Sequence, residues 1–250
     1  MWPLGSLHLN KEGLQERGVC FGGDDDSTIG VFLDWTALYQ DKPRGTRTPE
    51  QTELFRQALK GINLWYAHSR TIVWCLEYLP KGVSRPTYGD SGWTVFEQCV
   101  AGILTPSDRL LRFGEEARER LLAGTCDDDR PLEHYLDLVC ERRGDRCIPL
   151  TPERFNALIA TKTFTDGSDM DEVVRPKYLE TFSAVITNAL GLYLRGLNLG
   201  DWQARNLLEL TAKHCQKLQE LDLSCNEISM PIELAVGSPT MKTLRRLNLA

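Results

Sequence analysis

Three residues in the first half of the chain have the types and spacing of a catalytic or ligand-binding site. Asp34 ends the apolar run Ile-Gly-Val-Phe-Leu-Asp at 29–34, which is typical of a buried parallel strand whose carboxyl end faces a crevice. Trp93 and Glu97 are four residues apart in a helical segment, so their side chains share one helical face. The sequence therefore predicts an indole beside a carboxylate, and a second carboxylate at a strand end.

Nucleophilic and metal chemistry have little support in the sequence. His134 and His214 lie in helical stretches without a matched nucleophile, so no catalytic triad is predicted. Cys140 and Cys147 have only His134 nearby and no second cysteine pair, which argues against a zinc site. We expect no metal, and we expect the eight cysteines to be reduced thiols.

The elements that would position these residues alternate between strand and helix. After the strand at 29–34, the apolar spacing predicts a helix over 52–66 and the β-branched run predicts a buried strand over 71–76. A further helix begins at Asp90 or Ser91, either of which is a suitable N-cap. This order predicts an α/β fold with a doubly wound parallel sheet.

Two motifs in this region resemble those of a known family. The segment Phe32-Leu-Asp-Trp-Thr-Ala-Leu-Tyr-Gln40 looks like the strand and turn of heterokaryon-incompatibility domains. The segment Ser91-Gly-Trp-Thr-Val-Phe-Glu97 is similar to the Ser-x-Trp-Cys-x-x-Glu box of plant Toll/interleukin-receptor (TIR) domains, with Thr94 in place of the cysteine. Residues 27–105 therefore resemble a divergent TIR-like domain.

The resemblance implies a possible substrate, NAD. In catalytically active relatives the glutamate of this box works on NAD, so Glu97 would be catalytic, with Trp93 and Asp34 in the pocket. A carboxylate beside the ribose would stabilise an oxocarbenium-like transition state. The alternative is that Glu97 is a solvated carboxylate favoured by the helix dipole and that Trp93 belongs to the core. Residues 1–26 have no sequence pattern typical of the opening strand of such domains. We therefore expect an incomplete domain, and we expect no bound cofactor.

Residues 106–189 are predicted to form a helical connector. Amphipathic patterns indicate helices over 109–122 and 132–140. The sequence Thr151-Pro-Glu153 supplies an N-cap, a first-turn proline and an acid, which is a strong helix start. Another helix is expected over 173–190, leading into the last part of the chain.

A leucine template recurs over residues 190–250. The pattern Leu-x-x-Leu-x-Leu begins at Leu194, Leu218 and Leu244, at intervals of 24 and 26 residues. In the middle copy Asn226 follows, and its amide can bond turn groups that would otherwise be unpaired. The stretch 202–214 between the first two copies predicts a helix. The end of the chain inside the third strand indicates a fragment of a longer array.

These residues resemble the helical class of leucine-rich-repeat proteins, typified by ribonuclease inhibitor. That resemblance implies an α/β solenoid whose concave strand face binds a protein partner. The variable positions on this face also include Gly196 and Ser224, and the predicted partner-binding residues are Arg195, Asn198, Gln219, Glu220, Asp222, Arg245, Arg246 and Asn248. The alternative for each of them is that it merely keeps the sheet face soluble.

Charge and hydropathy narrow the function. The net charge of −6 gives no basic surface for nucleic acid, and no apolar run approaches the roughly 20 residues that span a bilayer. We expect a cytoplasmic interaction or signalling protein in four parts: a tail or truncated element at 1–26, the TIR-like domain at 27–105, the connector at 106–189 and incomplete repeats at 190–250. Self-association is possible. The alternative function is an NAD glycohydrolase that uses Glu97.

Overall fold

A computed structural model describes residues 38–39, 41, 45–68, 71–79, 81–115, 119, 148–229 and 243–249. The chain divides into two compact units, one of residues 1–62 and 124–138, the other of residues 63–123 and 139–250. The described part is mixed α/β with two small parallel sheets. No described helix has the length and apolar character needed to cross a membrane. The strand predicted at 29–34 and the helix predicted at 132–140 lie outside the described residues.

The first helix, α1, spans Pro49–Tyr66, which confirms the helix predicted over 52–66 and extends it by three residues. Its start is a capping box. The amide of Gln51 donates to Thr48 Oγ1 at 3.1 Å, and the amide of Thr48 donates to Gln51 Oε1 at 3.0 Å. Pro49 takes the first helical position, where no amide hydrogen is needed.

A strand, a helix and a second strand follow. The strands β1 (Val73–Leu76) and β2 (Leu110–Phe113) are parallel, with Val73 opposite Leu110, and helix α2 (Gly92–Ala101) connects them. This is a βαβ unit, and it confirms the predicted strand at 71–76 and the helix with Ser91 as its N-cap. A parallel sheet is thus present; its described part has two strands.

The second strand corrects the sequence analysis, which predicted a helix over 109–122. Residues 110–113 are extended because they pair with β1 along its whole length. Arg112 in the middle of β2 forms an ion pair with Glu77, which directly follows β1. The spacing of apolar and charged residues in this stretch is compatible with an amphipathic helix. The strand forms instead because its pairing partner, β1, lies more than thirty residues earlier in the sequence, where the local pattern gives no sign of it.

The structure describes two helices between this unit and residue 191, where the next strand begins. Helix α3 spans Pro152–Ile159 and begins as predicted, with Thr151 Oγ1 accepting the amide of Arg154 at 3.4 Å. A π-helical turn, Met170–Val174, leads into α4 (Arg175–Ile186), within the stretch predicted as helical over 173–190. The rings of Phe155 and Tyr178 stack 3.7 Å apart at 10°. One buried hydrophobic cluster continues from α2 through α3 and α4 to the buried leucines at 192–223.

The last sheet consists of β3 (Gly191–Tyr193), β4 (Glu220–Asp222) and β5 (Arg246–Asn248), parallel and in that order. Helix α5 (Asp201–His214) lies between β3 and β4 in sequence, as predicted. Leu192 is opposite Leu221, which is opposite Leu247. The alignment of Leu218 with Leu244 is therefore right, but that of Leu194 with Leu218 is wrong.

The first copy of the template begins five residues earlier, at Ala189. Ala189 is buried in the place that Leu218 takes in the next copy. The residues that the leucine count assigned to the first strand form a turn instead, because Gly196 (φ 64°) and Asn198 (φ 51°) have left-handed backbone conformations that end an extended strand. Cys225, 29 residues after Gly196, has φ 56°, so the same turn recurs at the same place in the second copy.

The side chain of Asn226 ties these two turns together. Its Oδ1 accepts the amides of Leu197 at 2.8 Å and Leu199 at 3.1 Å, and its Nδ2 donates to the carbonyls of Leu194 and Leu223, each at 2.8 Å. One amide group thus satisfies four backbone groups that the ladder between β3 and β4 does not reach. This confirms the role predicted for the asparagine of the template.

Replacing Asn226 with alanine should lower the free energy of unfolding by roughly 2–4 kcal/mol, because the amides of Leu197 and Leu199 lose their acceptor beneath the sheet. Urea denaturation followed by circular dichroism measures the change. The matched control is Asn188→Ala, whose exposed amide bonds the carbonyl of Ala184 and should matter by no more than about 0.5 kcal/mol. Equal losses in the two variants would contradict this role.

Candidate functional site

The candidate site is the solvent-facing side of the three-stranded sheet. Leu192 and Leu221 are each 1% exposed and point into the core, so their strand neighbours point outward. We name the outward set the strand face; it comprises Gly191, Tyr193, Glu220, Asp222, Arg246 and Asn248. Short parallel strands separated by a helix place side chains from distant parts of the sequence next to one another on this face.

The structure places four of the predicted partner-binding residues on the strand face: Glu220, Asp222, Arg246 and Asn248. Gln219 and Arg245 directly precede β4 and β5. Arg195, Gly196 and Asn198 are in the turn after β3 and not in the strand, which corrects the prediction and follows from the five-residue shift of the first copy. Ser224 follows β4 and is 1% exposed, so it belongs beneath the surface.

Tyr193 is the residue that the sequence analysis missed, and it organises the strand face. Its hydroxyl donates to Glu220 Oε2 at 2.8 Å, across the boundary between β3 and β4. Arg246 Nη1 lies 3.2 Å from Glu220 Oε1, which extends the chain of contacts to β5. Both carboxylate oxygens of Glu220 are thus engaged, one from each neighbouring strand, and the three side chains form a continuous row across the sheet.

Gly191 allows Tyr193 to reach Glu220. A Cβ atom at position 191 would lie 2.6 Å from the Tyr193 hydroxyl oxygen and 2.8 Å from two ring carbons, so the tyrosine ring occupies the space that any other residue would fill. Position 191 is directly opposite Glu220 in the sheet. The ring therefore lies back along its own strand, and its hydroxyl meets the carboxylate from the side.

The hydrogen bond to Glu220, together with partial burial, raises the pKa of the Tyr193 hydroxyl above its ordinary value of 10. Ionisation would place a phenolate against a carboxylate, and the hydrogen bond would lose its donor. Tyr193 thus remains a neutral donor well above physiological pH. The row presents one aromatic ring, one carboxylate held from both sides and one guanidinium.

Asp222 is engaged within the chain as well. Its Oδ1 accepts the amide of Ser224 at 2.9 Å and the hydroxyl of Ser224 at 2.6 Å. The parallel ladder continues past the end of β3, since Leu194 donates to the Asp222 carbonyl at 2.8 Å and Gly196 to the Ser224 carbonyl at 2.9 Å. Arg195 lies between these two donors, at the start of the turn, and its side chain is exposed whereas that of Leu194 is buried.

The residues predicted for a nucleotide pocket are placed differently. Trp93 donates its indole N–H to Asp169 Oδ2 at 3.0 Å, and its ring lies edge-on 6.0 Å from that of Phe96. The indole is thus engaged by the connector, in agreement with the alternative that it packs at the core. Glu97 is partly buried near the thiol of Cys75 and the hydroxyl of Tyr88. Asp34 lies outside the described residues.

Burial governs the chemistry around Glu97. Desolvation raises the pKa of the Cys75 thiol to about 11, and the nearby negative charge of Glu97 adds to the rise, so the thiol is protonated at neutral pH and is no nucleophile. Burial likewise raises the pKa of Tyr88. Elsewhere in the described ranges, no three His, Cys, Asp or Glu side chains converge in a way that could hold a metal ion.

The N-terminus of α2, where an α/β unit could bind an anion, is closed by the chain itself. The amide of Gly92 donates to the Thr163 carbonyl at 2.8 Å, and Thr163 donates back to the carbonyl of Asp90 at 2.8 Å. The Phe164 ring covers Gly92 so closely that a Cβ there would lie 2.2 Å from Phe164 Cζ. The glycine of the Ser-Gly-Trp motif is therefore explained by packing.

The row across the strand face predicts a measurable pKa change. Glu220→Gln should lower the pKa of Tyr193, because a neutral amide replaces the carboxylate that opposes ionisation. Gly191→Ala should act in the same direction by displacing the ring. Carbon NMR of protein labelled at tyrosine Cζ follows the titration. Glu209→Gln, on the exposed side of α5, is the control and should leave the Tyr193 titration in place; an unchanged pKa in Glu220→Gln would refute the contact.

Two regions thus hold polar side chains that could bind a ligand or take part in a reaction. One is the strand face, where side chains from β3, β4 and β5 meet, and the other is the surroundings of Glu97 in the βαβ unit. The strand face is exposed and its side chains are oriented by one another. The indole beside Glu97 is bound to the connector. No protein-family model, curated protein or solved structure matches this chain.

Proposed function

We propose that this protein recognises a protein partner through the strand face of a leucine-rich-repeat array. The repeat interpretation draws support from the parallel strands at 29-residue and 26-residue offsets, the recurring left-handed turn and the asparagine that ties neighbouring turns. The observation that carries the functional proposal is the row Tyr193, Glu220 and Arg246. It exposes an aromatic ring and a guanidinium on a rigid sheet.

Preorganisation favours this function. Tyrosine and arginine are over-represented among the residues that dominate binding energies at protein interfaces. A side chain already held in place loses less rotamer freedom on binding, and Glu220 holds both of them. The leucines of the same strands are committed to the core, so recognition would fall to the outward positions.

The signalling part of the proposal concerns the βαβ unit. One buried cluster includes Phe96 of α2, Phe155 of α3, Tyr178 of α4 and Leu207 and Leu221 of the repeats. We infer that the repeats act as the recognition element of a cytoplasmic protein and that the α/β portion is the element they serve. We also propose that residues 27–105 have the doubly wound architecture of a TIR-like domain.

The proposal predicts that the strand face decides which proteins bind. Full-length protein carrying Tyr193→Ala and Arg246→Ala should lose partners that the unmodified protein captures from an extract of the source cells, with affinities reduced about 30-fold or more where these residues are central. Quantitative mass spectrometry of the captured proteins, followed by titration of the purified partner, measures the loss. Arg205→Ala on α5 removes an equally exposed arginine elsewhere and should change nothing. Identical capture by all variants would refute the proposal.

One observation favours the alternative function, NAD cleavage. Glu97 is partly buried in a parallel α/β unit, close enough to Tyr88 for its charge to act on the pKa of that hydroxyl, and a carboxylate there could meet a ribose. The binding proposal predicts no nicotinamide release when the purified chain is incubated with NAD at concentrations that favour self-association. Chromatographic detection of nicotinamide tests this. Release that disappears in Glu97→Gln but persists in Gln98→Ala would establish the enzyme instead.

A further inference from the structure

The strand face and its immediate border carry more guanidinium groups than the chain itself uses. Arg195, Arg245 and Arg246 are all exposed, and the side chain of Arg246 is 73% exposed even though it is paired with Glu220. Neither Arg195 nor Arg245 has a carboxylate partner among the residues that the structure describes. Each guanidinium has five N–H donors, so most of the donors at this surface face solvent.

The two carboxylates of the same surface already accept hydrogen bonds within the chain. Glu220 receives the Tyr193 hydroxyl on one oxygen and the Arg246 guanidinium on the other. Asp222 receives two hydrogen bonds from Ser224, both on Oδ1. The surface therefore has three guanidinium groups against two carboxylates, one of which is already paired with Arg246. A ligand that offers carboxylates is favoured by this excess of positive charge and of N–H donors.

We propose, on the basis of the function proposed above, that the partner presents an acidic extended segment with two carboxylate side chains about five residues apart. One carboxylate pairs with Arg246 on β5 and the other with Arg195, two residues after β3, so the segment runs diagonally across the sheet beside Tyr193. In the sheet register Arg246 is level with Gly191, and Arg195 is four residues further along, roughly 13 Å. With two strand spacings, together roughly 10 Å, between β3 and β5, the two arginines are roughly 16 Å apart, a distance that about five residues of extended chain cover.

The same surface discriminates against nucleic acid. Phosphates follow one another along every strand of nucleic acid, so a polynucleotide on the strand face would place negative charge against Glu220 and Asp222 as well as against the arginines. A peptide can place its carboxylates over the guanidinium groups and neutral residues over the acids. The net charge of −6 adds a general repulsion of polyanions, which isolated carboxylates in a short segment feel less.

Selection from a random twelve-residue phage library on the immobilised full-length chain tests the inference. We expect enrichment of peptides with aspartate or glutamate at positions about five apart, and loss of that enrichment on the variant with Arg195→Gln and Arg246→Gln. A selected peptide with a fluorescein label and its twin with glutamine in place of both acids are then titrated by anisotropy. The twin should bind about tenfold more weakly or worse, and each single arginine variant about fivefold more weakly.

Arg205→Gln is the matched control and should bind the acidic peptide like the unmodified chain; the unfolding midpoint of each variant shows that it is folded. Enriched neutral peptides that need Tyr193 would overturn the acidic-partner inference and leave the proposed function standing. Peptides indifferent to Tyr193, Arg195 and Arg246 would overturn both. Single-stranded DNA of equal charge that binds as tightly as the acidic peptide would overturn the assignment of a peptide ligand.

Discussion

The hydrogen bonds of the Asn226 side chain are the constraint on which the turns after β3 and β4 depend. Strands β3 and β4 are only three residues long, and two further amide bonds, from Leu194 and Gly196, carry the ladder into the turn before α5. The backbone groups of Leu194, Leu197, Leu199 and Leu223 at that point would be left unpaired beneath the sheet. One planar amide satisfies all four. The turn after β3 is thereby held against the turn after β4.

Much of this architecture could be predicted from the sequence because it rests on local signals. Capping residues and periodic apolar positions located α1, α2, α3 and α5, and β-branched residues located β1. The strand β2 could not be found in this way. It has four residues, its centre is Arg112, and its extended state depends on pairing with a strand more than thirty residues earlier. Non-local pairing of this kind has no periodic signature.

The predicted starting residue of the first leucine template was wrong for a different reason. Leu194 can serve as the last leucine of one template or the first of the next, and the true first position is occupied by Ala189. Two left-handed residues, Gly196 and Asn198, decide between the two by ending the strand. The five-residue error removed Tyr193 from the predicted face and added Arg195, Gly196 and Asn198. A template that begins at Ala189 places Tyr193 between the inward residues Leu192 and Leu194. That alignment would have predicted Tyr193 on the outward face.

The glycine at 191 has a consequence for how the strand face can change in evolution. Tyr193 fills the volume that a side chain at 191 would need, and Glu220 holds Tyr193 and Arg246 at once. A substitution at any one of these four positions therefore disturbs the contacts of the others. A side chain at 191 would displace the Tyr193 ring, which would release Glu220 from the tyrosine hydroxyl. Changes at these positions should therefore appear together across homologous chains.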